Sequence, residues 1–153
     1  MNNNRRKTAL QIIWWIYIVL LLTIVIIKFR GSFAELSEKI ATTPYNTNYN
    51  LVPFSMMKMY YSNLSEGWVK LNIIGNVLPF MPFGFLLPSA YPKTDSLKHI
   101  LVIGFFSILF FETLQFVTRL GSFDVDDIIL NMLGIICGYL ILKLSRRIAG
   151  KNR

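Results

Sequence analysis

Charged residues are scarce in this sequence, and only eight Asp and Glu occur among its 153 residues. All charged types together make up 16%, against about 25% in an average soluble domain. Hydrophobic types make up 54%, and the mean hydropathy is +0.48. So little polar surface cannot cover the core of a soluble domain, and intrinsic disorder requires low hydrophobicity. The composition therefore indicates a single integral membrane domain over residues 1–153.

Cysteine and histidine occur once each, as Cys137 and His99. One cysteine cannot form an intrachain disulfide, and one cysteine with one histidine cannot supply the ligands of a zinc site. The sixteen Lys and Arg give a net charge of +8, which in a soluble protein would indicate nucleic-acid binding. Here they lie mostly outside the apolar runs, as membrane topology signals do. We therefore expect membrane lipids around the chain, and neither nucleic acid nor a cofactor as a partner.

Four apolar runs are long enough to cross a bilayer as helices, at about 1.5 Å of rise per residue. They cover residues 9–27, about 71–91, about 100–117 and about 125–142. The first run is followed by Lys28-Phe29-Arg30 rather than by small residues, which favours an uncleaved anchor over a signal peptide. The sequence therefore predicts an all-α fold with four transmembrane helices.

Basic residues set the direction of these helices. Ten Lys and Arg lie in the N-terminal segment, the 92–99 connection and the tail from Lys143, and six lie in the two opposite connections. The positive-inside rule then places both termini in the cytoplasm and segment 28–70 outside. That segment is rich in aromatic residues, and residues 32–40 have the spacing of a short amphipathic helix. It either lies on the membrane interface or caps the bundle.

Polar residues recur at one depth in three of the four apolar runs. Those that share a helix face are, in chain order, Asn72 and Asn76, then Glu112, Gln115 and Arg119, then Asp124, Asp127 and Asn131. Their spacing of three, four or seven residues confines each group to one face. With the predicted directions, Asn76, Glu112 and Asn131 lie roughly 8 Å below the outer surface. We therefore expect the three faces to meet in the outer leaflet.

Two interpretations of this polar cluster stay open. Charged groups cost roughly 2.5–3.5 kcal/mol each at membrane depth, so Arg119 paired with Glu112 or Asp127 would hold the bundle together. Alternatively, the cluster is a ligand-binding or catalytic site, with Glu112 as the candidate acid or base. A Mg²⁺ or Ca²⁺ site would need Asp124, Asp126 and Asp127 to converge. On a helix, however, Asp126 points about 200° away from Asp124, so we expect no metal.

Pro79, Pro82 and Gly84 interrupt the second apolar run. Each proline removes a helical hydrogen bond and leaves a carbonyl oxygen without its donor. At membrane depth such oxygens need protein or water as partners, because lipid offers none. Either neighbouring helices supply these partners, or a wet cavity adjoins the polar cluster.

Several short motifs follow one another between about residues 45 and 142. They are Asn50-Leu51-Val52-Pro53-Phe54, Asn76-Val77-Leu78-Pro79-Phe80-Met81-Pro82-Phe83-Gly84, Glu112-Thr113-Leu114-Gln115-Phe116, and Asp124-Val125-Asp126-Asp127 through Asn131 and Gly134. In order and spacing they resemble the VanZ-like family. The resemblance implies a small multi-span protein of the bacterial cell membrane. The namesake of that family is associated with resistance to the glycopeptide antibiotic teicoplanin.

Three functions are compatible with these features. The first is an envelope protein that binds a lipid-linked cell-wall precursor or a lipoglycopeptide, with Arg119 facing an anionic head group. The second is an intramembrane enzyme that alters a cell-wall lipid, with Glu112 as general acid or base. The third is a structural partner subunit, for which Gly134 and Gly138 offer a homodimer contact. We favour the first, since the sequence holds no nucleophile motif or nucleotide-binding loop.

Overall fold

The computed structural model describes residues 3–27, 49–118 and 121–151, most of which are helical. Within these ranges, four helices are long and apolar enough to cross a membrane. They are α1 (Asn3–Ile27), α3 (Gly67–Ala90), α4 (Leu97–Thr118) and α5 (Val125–Lys151). The prediction of four spanning helices is therefore confirmed. The side of the membrane on which each terminus lies stays a prediction.

The helices extend beyond the apolar runs that predicted them. Helix α3 begins at Gly67 rather than near Leu71, and α5 ends at Lys151 rather than near Leu142. Lys, Arg and Glu are good helix formers, so a helix continues where the chain leaves the apolar region. The short helix predicted over residues 32–40 lies outside the described residues.

Helices α3 and α5 approach each other most closely, because glycines bring their backbones into contact. A Cβ atom on Gly84 would collide with the carbonyl oxygen of Ile135. Cβ atoms on Gly134 and Gly138 would collide with backbone carbonyl oxygens of α3. Small residues permit this kind of helix contact inside a membrane. The glycine face that the sequence offered for a homodimer is thus used within the chain, so it no longer argues for a second copy.

Helix α1 packs mainly on α3 and is the most peripheral of the four helices, since only 11% of its apolar window is buried. The ring of Trp14 lies 5.0 Å from the ring of Phe83. One turn further along α1, the hydroxyl of Tyr17 donates a hydrogen bond to the carbonyl oxygen of Pro79 at 2.9 Å. This bond ties α1 to the proline region, and α3 continues through its prolines without ending.

The start of α5 is covered by a short segment that precedes α3. Its elements are the strand β1 (Tyr49–Asn50) and the helix α2 (Ser55–Ser62), and β1 pairs in parallel with β2 (Phe123–Asp124). Tyr60 of α2 is buried in a cluster with Val69 and Leu130. The segment therefore caps the bundle. It also exposes aromatic side chains such as Tyr61, as a segment at a membrane interface would.

The opposite end of the bundle carries two ion pairs that join exposed basic side chains to one partly buried carboxylate. Asp95, in the connection between α3 and α4, pairs with Lys143 at 2.8 Å and with Arg146, both on α5. Burial alone would raise the pKa of Asp95, but the hydrogen bonds from Lys143 and Arg146 hold it below the ordinary value. These pairs tie the end of α5 to the start of α4, at the end of the bundle where α1 begins.

Candidate functional site

Asp126, at the start of α5, is fully buried. Its carboxylate accepts backbone N–H groups from Phe54 at 2.6 Å, from Met56 at 2.7 Å and from Met57 at 3.3 Å. The first turn of a helix leaves such donors without partners inside the helix. Asp126 therefore caps α2 from a different helix, and its negative charge is favoured beside the α2 N-terminus.

The backbone of Phe54, which donates to this cap, has an unusual conformation. Its φ of 65° lies in the left-handed region, which costs a side chain other than glycine roughly 1–2 kcal/mol. The short hydrogen bond from its N–H to Asp126 compensates for part of that strain. Such conformations persist where the surroundings fix them.

Asp124 precedes α5 and caps its first turn. Its carboxylate accepts the N–H of Asp126 at 2.8 Å, the typical bond of an N-cap residue. It also accepts the side-chain amide of Asn50, at 3.2 and 3.3 Å from the two oxygens. Among the described residues, no three His, Cys, Asp or Glu side chains are grouped as metal ligands. The oxygens of Asp124 are thus engaged with the chain itself.

The structure places Asp124 and Asp126 in the cap. Asp124 lies in β2, just before α5 begins at Val125. Asp126, which helical spacing left out of the predicted polar cluster, contacts the segment before α3. The sequence held a signal for this contact, since the motifs at 50–54 and 124–127 occur together in the family resemblance.

A small polar cavity lies deeper between the helices. It measures about 20 Å³, and its polar lining consists of Asn76 from α3, Glu112 and Gln115 from α4, and Asn131 from α5. None of these four side chains is more than 8% exposed. Asn76 is held by a hydrogen bond from its amide to Asp127 at 2.6 Å. The structure therefore brings together polar residues from three helices, in a space that fits one water molecule or one polar group.

Asn131 has an unusual place in this cavity. Its side-chain oxygen is buried and, within the part of the chain that the structure describes, has no hydrogen-bond partner. A buried acceptor left in that state costs about 1–3 kcal/mol. A donor inside the cavity would remove this cost. Gly75 and Pro79 also line the cavity, so the proline region adjoins it.

The cavity and the cap belong to one electrostatic region. Glu112 accepts the backbone N–H of Asp124 at 3.4 Å, which links the two. Burial, and then the carboxylates of Asp127, Asp124 and Asp126, raise the pKa of Tyr60 to about 12. These carboxylates thus disfavour a negative charge on Tyr60.

The predicted helix-break residues lie on α3. Pro79, which lines the cavity, and Pro82 lie inside the continuous helix, and Gly84 packs against the backbone of α5. Arg119 lies outside the described residues, so its expected pairing with Glu112 or Asp127 stays a prediction.

Comparison with known proteins decides the family. The sequence profile of the VanZ/LLP1 family matches residues 14–146, which include the cap and the cavity. The chain belongs to the VanZ/LLP1 family. It is 30% identical over 129 residues to Protein VanZ of Enterococcus faecium, across 84% of this chain and 68% of that relative. No solved structure gives a significant match. The resemblance seen in the motifs is thus confirmed, and this VanZ/LLP1 protein has the apolar helices of a multi-pass membrane protein.

Proposed function

We propose that this VanZ/LLP1 protein binds the polar group of a lipidated or lipid-linked molecule in the cavity beside Asn131, in the outer leaflet of the bacterial cell membrane. By doing so it lowers susceptibility to glycopeptides such as teicoplanin. The observation that supports a ligand site is the buried oxygen of Asn131, which has no hydrogen-bond partner among the described residues. The other polar residues around the cavity offer further hydrogen bonds to the same group.

The chemistry of the cavity selects a hydrogen-bond donor. The oxygen of Asn131 and the carboxylate of Glu112 both accept, so a hydroxyl, an amide or an ammonium group suits them. The cavity has room for that group alone, and the remainder of the ligand would lie along the surface of the bundle. Leu21 and Ile24 of the peripheral helix α1 form its apolar wall, and Ile24 is half exposed. The lipid-facing side of the cavity is therefore covered by α1.

The similarity to Protein VanZ supports an amphiphilic ligand, with a polar group for the cavity and an apolar remainder. The chain shares 30% identity with Protein VanZ, and the family resemblance implies a connection with teicoplanin. Teicoplanin acts outside the membrane and carries a lipid tail, so an outer-leaflet site could meet it or its lipid-linked target. The expected contribution of Arg119 to an anionic head group belongs to the same proposal.

The substitution Asn131→Leu tests the binding site. Replacing this amide, whose oxygen has no partner among the described residues, by an apolar side chain of similar size should leave the thermal stability in detergent unchanged or raised, by about 1–2 kcal/mol. The same variant should lose the protection against teicoplanin that the wild-type protein gives to a susceptible host. Ser107→Ala, which removes a polar group from α4 outside the cavity, should keep both properties. A stable Asn131→Leu protein with full protection would contradict the ligand site.

A second candidate function is modification of a cell-wall lipid. The carboxylate of Glu112 lines a cavity of the size of one water molecule, a suitable place for a general acid or base. Mass spectrometry of cell-wall precursors, from cells with the wild-type protein and with Glu112→Gln, separates the two functions. A precursor mass that changes only with the wild-type protein indicates an enzyme. Unchanged masses together with altered teicoplanin binding indicate the binding function.

A further inference from the structure

A larger groove lies at the end of the bundle opposite the polar cavity. It measures about 620 Å³ and is lined by the start of α1 and the ends of α3 and α5. Lys7, on its wall, is fourteen residues along α1 from Leu21 at the polar cavity, or roughly 21 Å. The two sites are therefore separate.

The rim of the groove is strongly basic. Arg6 and Lys7 are both exposed on the first turns of α1, and neither has a carboxylate partner among the described residues. Arg146, across the groove, shares the single carboxylate of Asp95 with Lys143. The groove thus keeps an excess of positive charge at its rim.

The floor of the groove is apolar, and the same arrangement of side chains recurs on the three helices that line it. On each of three helices, a polar residue at the rim lies one turn outward from an apolar residue on the same face. The pairs are Lys7 with Leu10 on α1, Ser89 with Phe85 on α3, and Arg146 with Leu142 on α5. Charge at the rim and hydrocarbon below it is the order in which a phospholipid presents its head group and acyl chain.

We propose that this groove binds the phosphate group of an anionic phospholipid at Arg6, Lys7 and Arg146, with the acyl chain along the apolar floor. Basic pockets between membrane helices on the cytoplasmic side commonly hold anionic head groups. The predicted orientation places this end in the cytoplasm, where the leaflet is rich in anionic lipid. A free phosphate ion would offer the same charge, but it would leave the apolar floor uncovered.

The test compares two double variants of the full chain in a neutral detergent. Arg6→Gln with Lys7→Gln removes one arginine and one lysine from the groove. Lys98→Gln with Arg147→Gln removes the same two residue types, exposed at the same end but outside the groove. Affinity for short-chain phosphatidylglycerol, measured by native mass spectrometry, should fall about tenfold in the first variant and by less than about twofold in the second.

Three results would overturn the proposal: equal losses in the two variants, equal binding of phosphatidylcholine, or displacement of the lipid by an equal concentration of inorganic phosphate. The first two would mean general surface attraction, and the third would mean a phosphate site. Asn131→Leu should leave phosphatidylglycerol binding unchanged. The lipid groove and the proposed function at the polar cavity can therefore fail independently.

Discussion

The two ends of this bundle use charge in opposite ways. At the α2 end, carboxylates are buried and their oxygens accept N–H groups of the chain, as at Asp126. At the other end, the basic side chains are exposed, and Asp95 is the carboxylate that pairs with two of them. A buried charge without partners is very costly, whereas an exposed charge is solvated by water. Charge therefore fixes the structure at the first end and is available to ligands at the second.

The α2 end itself divides into two parts. The hydrogen bonds of Asp124 and Asp126 hold the cap, so these residues explain how the segment before α3 is fixed. Asn131 lies deeper, and its side-chain oxygen is left without a described partner. A buried polar group without a partner calls for an explanation, such as a ligand or an ordered water in the cavity. The contrast separates the structural residues of this end from the candidate ligand site.

The largest expected effect is at the buried carboxylate. Asp126→Ala should destabilise the protein by about 3 kcal/mol, because it deprives three backbone N–H groups of their acceptor. The loss should concentrate in the cap, so hydrogen exchange in residues 50–62 should accelerate far more than in α3. Thermal denaturation in detergent and exchange mass spectrometry measure the two effects.

Glu66→Ala is the control for that substitution. Glu66 is an exposed acidic residue just before α3, at the same end of the bundle. Its replacement should change stability by less than about 0.5 kcal/mol, as surface substitutions usually do. If both variants lost the same stability, the proposed cap would be wrong and the two ends would not differ as described.

The next largest effect is expected at the close contact between helices α3 and α5. Gly138→Ala should cost about 1–3 kcal/mol, because the added Cβ meets the carbonyl oxygen of Met81 and the helices must separate. Gly150→Ala on the same helix meets no atom within 4 Å and should be neutral or slightly stabilising. If Gly138→Ala changed the oligomer mass but not the stability, the glycine face would serve an association between copies instead.

The helical periodicity of the sequence explains why it predicted which polar residues meet. Helix spacing fixes both face and depth, so the meeting of Asn76, Glu112 and Asn131 follows from their positions along the chain. The role of Asp126 could not be predicted in that way, because its partners lie about 70 residues earlier and outside any helical period. Gly134 also indicated a close helix contact, but spacing alone does not tell whether the partner helix belongs to the same chain.

The smallest effect is expected at the partly buried carboxylate of Asp95. Asp95→Asn should lower the melting temperature by no more than about 2 °C at neutral pH, because its two basic partners are exposed and ion pairs with exposed partners contribute little. The pKa of Asp95 is held below its ordinary value of 3.8, so the pair stabilises the folded state above that pH and ceases to do so as the pH falls below it.

Melting curves of the wild type and of Asp95→Asn should therefore converge in acid, and high salt should narrow their difference at neutral pH. A loss as large as that of Asp126→Ala, or one that salt leaves unchanged, would show that Asp95 acts as a buried structural charge. The two ends would then differ only in the sign of their charge, and not in whether that charge is buried. The groove would also have less free positive charge than the phospholipid proposal requires, since Arg146 would be committed to Asp95.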